Sequence, residues 1–175
     1  MPFVVAALVL VGSVTVLNLA LTMAVIRRLR KQGSVQIVQG FGDLPSVGST
    51  IPSFEAETVD SDWVSRDTMS GAPGVLAFFS TDCSACKPSI PYLRDYVAEV
   101  GLNRAQVIAV VSGETGKAQD FRADLGGIAM VVSEPKDGPI TKEFGIPAFP
   151  TFVMVDQDGK VVRTSAGARS LLENV

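Results

Sequence analysis

The chain of 175 residues contains two cysteines, Cys83 and Cys86, and they directly follow a short apolar run at a predicted junction of strand and helix. The run GVLAFFS, residues 74–80, is uncharged and bounded by turn residues, which predicts a buried strand. The pattern of apolar residues over 83–100 predicts a helix. Both thiols are therefore expected at a helix N-terminus, where free backbone N–H groups and the helix dipole favour a thiolate over a thiol.

The rest of the composition limits what these two thiols can do. The sequence has no histidine, which excludes nucleophile pairs and zinc sites that depend on imidazole. Two cysteines cannot form a four-thiolate zinc cage within one chain, so no metal site is predicted. A metal site shared between two chains and a pair of inert buried cysteines remain as alternatives.

The spacing of the cysteines favours a redox pair, because C-x-x-C beside a strand–helix–strand pattern is typical of thiol–disulfide chemistry. Cys83 is expected to be the more exposed thiol and the nucleophile. Cys86 lies one turn deeper and can attack the resulting mixed disulfide. Lys87 adds a nearby positive charge that favours the thiolate.

Apolar runs and turn signals predict the other elements of an α/β fold. They are a short strand or hairpin within 52–64, strands at 106–112 and 129–133, helices at 117–125, 140–144 and 168–173, and a terminal hairpin of 151–156 and 160–164. Strands that alternate with helices imply parallel pairing, and the terminal hairpin adds antiparallel strands. The sequence therefore predicts a mixed sheet with helices on both faces.

Residues 3–26 form a predominantly apolar run of 24 residues without a charged side chain. As a helix this run would be roughly 36 Å long, enough to cross about 30 Å of hydrocarbon with some tilt. A cleaved signal peptide and a buried core helix are the alternatives. The first fits less well because no basic side chain precedes the run, and the second because core helices rarely run this long without a charge. The predicted organisation is a transmembrane helix at 3–26, a basic collar and linker at 27–50, and a domain at 51–175.

Charge is distributed unevenly along the chain. The collar RRLRK at 27–31 holds four of the 15 basic residues, so residues 32–175 carry a net charge of −7. Such an acidic domain argues against nucleic-acid binding. A basic segment directly after an apolar span tends to stay in the cytoplasm and can touch anionic lipid headgroups.

Two stretches carry a resemblance to a known family: FFSTDCSACKPSIPYL at 78–93 and FGIPAFPTFVMVDQDGK at 144–160. They resemble the membrane-anchored, thioredoxin-like reductases of the TlpA/ResA type, over residues 48–165. The first stretch is also similar to the accessory proteins of methylamine dehydrogenase. The resemblance implies a thioredoxin-like fold and a membrane-anchored thiol–disulfide oxidoreductase with a protein substrate, no organic cofactor, and a membrane redox partner that resets the cysteines.

The resemblance also implies roles for individual residues. Cys83 would attack the substrate disulfide and Cys86 would resolve the mixed disulfide. Pro150 would be the cis-proline beside the pair, with Phe149 and Thr151 completing the substrate groove. The other positions that match the family's active site are Asp82, Ser84, Ala85, Lys87 and the helix proline Pro91.

Four positions depart from the thioredoxin pattern. Asp82 stands where thioredoxins have tryptophan, and its negative charge is expected to raise the pKa of the Cys83 thiol. Ala77 replaces a buried aspartate on the central strand, which removes a proton acceptor. Ser84 and Ala85 replace glycine and proline between the cysteines.

Other functions and the side of the membrane stay open on sequence grounds. A peroxiredoxin-like thiol peroxidase and a non-catalytic assembly factor that uses the thioredoxin groove are the alternative functions. Disulfide chemistry of this family is usually extracytoplasmic. The resemblance therefore favours an extracytoplasmic domain on a single-pass anchor, whereas the collar at 27–31 favours a cytoplasmic one.

Overall fold

The computed structural model describes residues 12, 15, 18, 19, 21–23, 44–167 and 171. The chain divides into two compact units, Met1–Ile37 and Val38–Val175. In the first unit every described residue is helical. There the Thr22 hydroxyl donates to the Asn18 carbonyl oxygen at 2.8 Å.

The predicted membrane span at 3–26 lies largely outside the described residues, and the basic collar at 27–31 lies wholly outside them. Across the part of the chain that is described, no helix combines the length and the apolar character that crossing a bilayer requires.

The second unit is built on a five-stranded sheet with the order β5-β4-β3-β6-β7. Its strands are β3 (Gly74–Ser80), β4 (Val107–Ser112), β5 (Met130–Glu134), β6 (Thr151–Val155) and β7 (Val161–Ala166). Strands β3, β4 and β5 are parallel, and β6 and β7 join them antiparallel. The mixed sheet predicted from the sequence is therefore confirmed.

Within residues 44–167, three α-helices flank the sheet: α1 (Cys86–Val100), α2 (Thr115–Leu125) and α3 (Pro139–Glu143). Side chains of a strand alternate between the two faces of a sheet. Phe79 of β3 accordingly packs in one buried cluster with residues of α1 and α2. Phe78 packs in the other, with Phe144 beside α3 and with the N-terminal part of the unit.

The N-terminal part of the unit covers the α3 face. The hairpin predicted within 52–64 is present as β1 (Glu55–Glu57) and β2 (Trp63–Ser65), which pair antiparallel. Before it, the Gly48 N–H donates to the Val161 carbonyl at 2.7 Å, and the Val161 N–H donates to the Ser49 carbonyl at 2.8 Å. Residues of the predicted linker thus pair with the edge strand β7.

The predicted helix at 168–173 lies outside the described residues except at Leu171. Leu171 is helical and fully buried, and its carbonyl oxygen accepts a bond from the Arg163 side chain at 2.8 Å. This contact ties the end of the described chain to β7.

Candidate active site

The two cysteines lie where the central strand β3 passes into α1. A tight turn connects them, because the Cys83 N–H donates to the Ser80 carbonyl and the Cys86 N–H donates to the Cys83 carbonyl, both at 3.2 Å. The helix begins at Cys86, with Ala85 as its capping residue. The predicted start at Cys83 is therefore wrong by three residues, since residues 81–85 form the turn that carries the first cysteine.

Cys83 and Cys86 form a disulfide, with their Cα atoms 5.4 Å apart. Cys83 is half-buried at the surface, whereas Cys86 has no exposed area and packs in the cluster under α1. The Ser80 N–H points at the Cys86 Sγ over 3.5 Å. An accessible sulfur next to a buried one is the arrangement that attack followed by resolution requires.

The second stretch that carries the family resemblance, residues 144–160, lies beside the cysteines because its strand β6 pairs directly with β3. The peptide bond between Phe149 and Pro150 is cis. The Phe149 carbonyl oxygen lies 3.4 Å from the Cys83 Sγ. The Thr151 hydroxyl donates to the Ala148 carbonyl at 2.8 Å, which holds the loop before β6 in place. The fold thus unites two motifs that are far apart in sequence.

The residues on either side of Cys83 are exposed, and one of them, Asp82, has polar contacts. Ser84 and Ala85 are exposed, and so is Asp82, whose side chain keeps 59% of its surface accessible. The Asp82 N–H donates to the Ser80 hydroxyl at 3.3 Å. The carboxylate lies 4.0 Å from the Lys136 ammonium, on the loop after β5.

Lys87, predicted to add a positive charge near the thiols, directly follows Cys86 and has a partner on the neighbouring helix. Its ammonium forms an ion pair with Asp120 at 3.2 Å and lies 5.6 Å from the ring centre of Phe121. Both partners belong to α2, so the charge of Lys87 is already engaged between the two helices.

A second lysine, Lys117 in the first turn of α2, lies at the same edge of the sheet. Its ammonium contacts the Glu114 carboxylate at 3.0 Å. The hydrogen bond and the charge of Glu114 raise the pKa of Lys117, and the charge of Asp82 adds to the effect.

Sequence reasoning missed the residues that hold the active-site turn. The Thr81 N–H donates to the Ser112 carbonyl at 3.0 Å, and the Thr81 hydroxyl accepts from the Glu114 N–H at 3.1 Å. Gly113 has a φ of +137°, and a Cβ there would collide with the Thr81 side chain. The only sequence signal was a glycine directly after a buried strand.

Glu134 at the end of β5 was also missed. Its side chain is buried, and its carboxylate accepts from the backbone N–H groups of Ile140 and Thr141 at 3.0 and 3.1 Å and from the Thr141 hydroxyl. A Cβ at Gly138 would collide with this carboxylate. Glu134 therefore fixes the start of α3, which leads into the loop before Pro150.

Within the described part of the chain, no three His, Cys, Asp or Glu residues are grouped so that they could hold a metal ion. The chemistry that this site offers rests on the two sulfurs, the helix N-terminus beside them and the charged groups of the neighbouring loops.

Comparisons with known proteins agree with this geometry. Residues 46–174 match the model of the family described as Redoxin. The thiol-disulfide oxidoreductase ResA of Bacillus thuringiensis subsp. konkukian is 24% identical over 124 residues, which cover 71% of this chain and 72% of the relative. ResA of Oceanobacillus iheyensis is 27% identical over 129 residues, covering 71% and 67%.

Solved structures share the fold. The thioredoxin domain of a thiol-disulfide oxidoreductase from Bacteroides vulgatus superposes with a TM-score of 0.61 at 20% identity, covering 72% of this chain and 92% of that one. A thiol:disulfide interchange protein from Chlorobium tepidum gives a TM-score of 0.58 at 23% identity, covering 74% and 92%. The thioredoxin-like fold and the resemblance to the ResA type are confirmed, while the likeness to methylamine dehydrogenase accessory proteins stays a prediction.

Proposed function

Since the chain belongs to the redoxin family and is a thiol–disulfide oxidoreductase, we propose that Cys83 and Cys86 carry out its exchange reaction on protein substrates. Cys83 is the attacking thiol and Cys86 the resolving thiol. The observation that carries this assignment is the contrast in burial within one disulfide. Cys83 is only half-buried and lies beside the Phe149 carbonyl, whereas Cys86 is fully buried.

In the reducing direction, the Cys83 thiolate attacks one sulfur of a substrate disulfide. That bond breaks, a mixed disulfide forms, and the released substrate thiolate takes up a proton. The Cys86 thiolate then attacks the Cys83 sulfur, and the second substrate sulfur leaves and is protonated. Two electrons and two protons pass from the dithiol to the substrate, and the protein ends with the Cys83–Cys86 disulfide.

The local structure supports both thiolates. Cys86 opens α1, whose free N–H groups and dipole stabilise negative charge on nearby sulfur. The Ser80 N–H, 3.5 Å from the Cys86 Sγ, adds a donor aimed at the buried sulfur. These donors stabilise a thiolate without an imidazole. The proposed exchange uses the Cys83–Cys86 disulfide itself and no organic cofactor.

The substrate groove is formed by the loop that leads into β6. A substrate chain that runs along the partly exposed Phe149 would bring its own cysteine next to Cys83, because the Phe149 carbonyl lies 3.4 Å from that sulfur. Pro150 and Thr151 are buried and support this loop from within the fold. The spacer residues Ser84 and Ala85 are small and exposed, so a folded protein can approach closely. An accessible nucleophile on an open edge suits a macromolecular substrate.

A test uses the full chain in detergent micelles, reduced and then mixed with a disulfide-bonded peptide. The Cys86→Ser variant should accumulate a mixed disulfide through Cys83, because the resolving thiol is gone. The Cys83→Ser variant, which keeps the buried thiol, is the matched control and should form no adduct. An adduct on Cys86 alone would reverse the assigned roles. No adduct in either variant, or oxidation of the pair faster by hydrogen peroxide than by the peptide, would overturn the proposal.

We further propose that residues 3–26 anchor the protein as a single-pass helix, with the domain on the extracytoplasmic side. The length and uncharged character of the run support the anchor. Persistence of disulfides outside the cytoplasm supports the location, against the opposite bias of the collar at 27–31. A redox partner in the same membrane would then return Cys83 and Cys86 to the dithiol.

Location is tested with a reporter enzyme that is active only outside the cytoplasm, fused after Val175. We expect activity in intact cells. Activity of a matching reporter that works only in the cytoplasm would overturn the proposed orientation. It would leave the exchange chemistry untouched, since that is measured on the isolated chain.

A further inference from the structure

Three parallel strands, β3, β4 and β5, end at the same edge of the sheet, and the loops that follow them surround the first cysteine. Each loop carries charged side chains. They are Asp82 after β3, Glu114 and Lys117 after β4, and Lys136 and Asp137 after β5. Asp82 is the residue directly before Cys83, so what surrounds its carboxylate affects the nucleophile.

The Asp82 carboxylate interacts with two lysines, Lys117 in the first turn of α2 and Lys136 in the loop after β5. Lys136 Nζ lies 4.0 Å from Asp82 Oδ2. Lys117 also senses the Asp82 charge, but its ammonium is bound to Glu114 at 3.0 Å. Lys136 is therefore the lysine that has Asp82 as its partner.

Lys87, although closer in sequence to the cysteines, is bound to Asp120 on α2. Its charge compensates a different carboxylate. This leaves Lys136 as the group that can offset the negative charge beside Cys83.

We propose that Lys136 is a positioning residue that holds the Asp82 carboxylate and offsets its charge, so that the Cys83 thiol ionises more readily. The inference rests on the proposed function, in which Cys83 is the nucleophile. The step concerned is the loss of one proton from the thiol, with no other reactant. Without Lys136, the residue directly before Cys83 carries an uncompensated carboxylate, which raises the pKa of the Cys83 thiol.

The expected effect is modest, because both side chains are exposed, with 59% of Asp82 and 74% of Lys136 accessible. Exposed ion pairs contribute little free energy, which corresponds here to a roughly threefold change in the thiolate fraction at a pH below the pKa of the thiol.

The test is the pH dependence of alkylation of the reduced full chain by iodoacetamide, which is uncharged. Lys136→Gln should slow alkylation of Cys83 by roughly threefold below the thiol pKa and leave the plateau at high pH unchanged. Lys136→Arg should restore the profile. In an Asp82→Asn background, Lys136→Gln should have little effect, because the carboxylate on which Lys136 acts is gone.

Lys160→Gln is the matched control. Lys160 follows the end of β6 that pairs with the start of β3, at the opposite edge of the sheet, so the same loss of charge should leave the profile unchanged. Equal slowing by Lys136→Gln in both backgrounds, slowing at every pH, or no slowing would each overturn the inference. Alkylation needs no disulfide substrate, so a failure of peptide exchange and a failure of this inference are separate results.

Discussion

The two ends of the central sheet use charged residues in different ways. At the end where β4 and β5 begin, the carboxylate of Asp60, in the β1–β2 turn, forms ion pairs with the guanidinium groups of Arg104 at 2.6 Å and Arg122 at 2.7 Å. Only 29% of the Asp60 side chain is accessible. At the other end, the more exposed Asp82 has one lysine partner at 4.0 Å.

The Asp60 cluster joins three separate pieces of chain. Arg104 lies in the 3-10 turn before β4, and Arg122 lies in the last turn of α2. Next to Asp60, the Val59 N–H donates to the Val131 carbonyl of β5 at 2.8 Å. Charge at this end therefore fastens the hairpin to α2 and to the turn before β4, and a neutral hydrogen bond fastens it to β5.

At the end that carries the cysteines, the loops are held by hydrogen bonds between neutral groups and by a buried carboxylate. Thr81 links the loops after β3 and β4, and the Gly113 N–H donates to the Glu134 carbonyl at 2.9 Å. Because these contacts hold the loops in place, the ion pair of Asp82 and Lys136 is not needed for that purpose. Its proposed role is to set the electrostatic environment of Cys83. Ion pairs therefore hold the structure at one end. At the other end a buried carboxylate and neutral hydrogen bonds hold the loops, and the exposed ion pair of Asp82 and Lys136 adjusts the chemistry.

The largest expected effect comes from the buried carboxylate. Glu134→Ala leaves the N–H groups of Ile140 and Thr141 without their acceptor, and we expect a loss of about 3 kcal/mol of unfolding free energy. The measurement is urea unfolding of the full chain in micelles, followed by circular dichroism.

Glu143→Ala is the control for that variant, because Glu143 is an exposed glutamate of the same helix, α3. It should change the unfolding free energy by less than about 0.5 kcal/mol. If the two substitutions cost the same, the buried contacts do not hold this end of the sheet and the comparison fails.

Much of this architecture could be predicted because it rests on local patterns. The apolar run at 74–80 is buried between two layers, so hydrophobicity alone identified β3. The turn sequence Gln157–Asp158–Gly159 marked the hairpin of β6 and β7, and Gly159 has a φ of +70° there. The cysteine spacing indicated the redox pair for the same reason, since both cysteines lie within four consecutive residues.

The rest depends on contacts between distant residues. Asp60 lies 44 and 62 positions from its two arginine partners, and no local pattern pairs them. Glu134 looks like a surface residue in the polar segment before Pro135, and only the fold buries it against α3. The partner of Lys87 likewise comes from α2, 33 positions away, so its engagement could not be read from the cysteine motif.

The smaller prediction compares the two aspartates directly. Asp60→Asn should lower the unfolding free energy by about 1 kcal/mol, because two partly exposed ion pairs are lost. The measurement is urea unfolding followed by circular dichroism, as for Glu134→Ala. Asp82→Asn should change stability by less than about 0.5 kcal/mol while lowering the pKa of the Cys83 thiol. A larger stability loss at Asp82 than at Asp60 would mean that charge holds the structure at both ends.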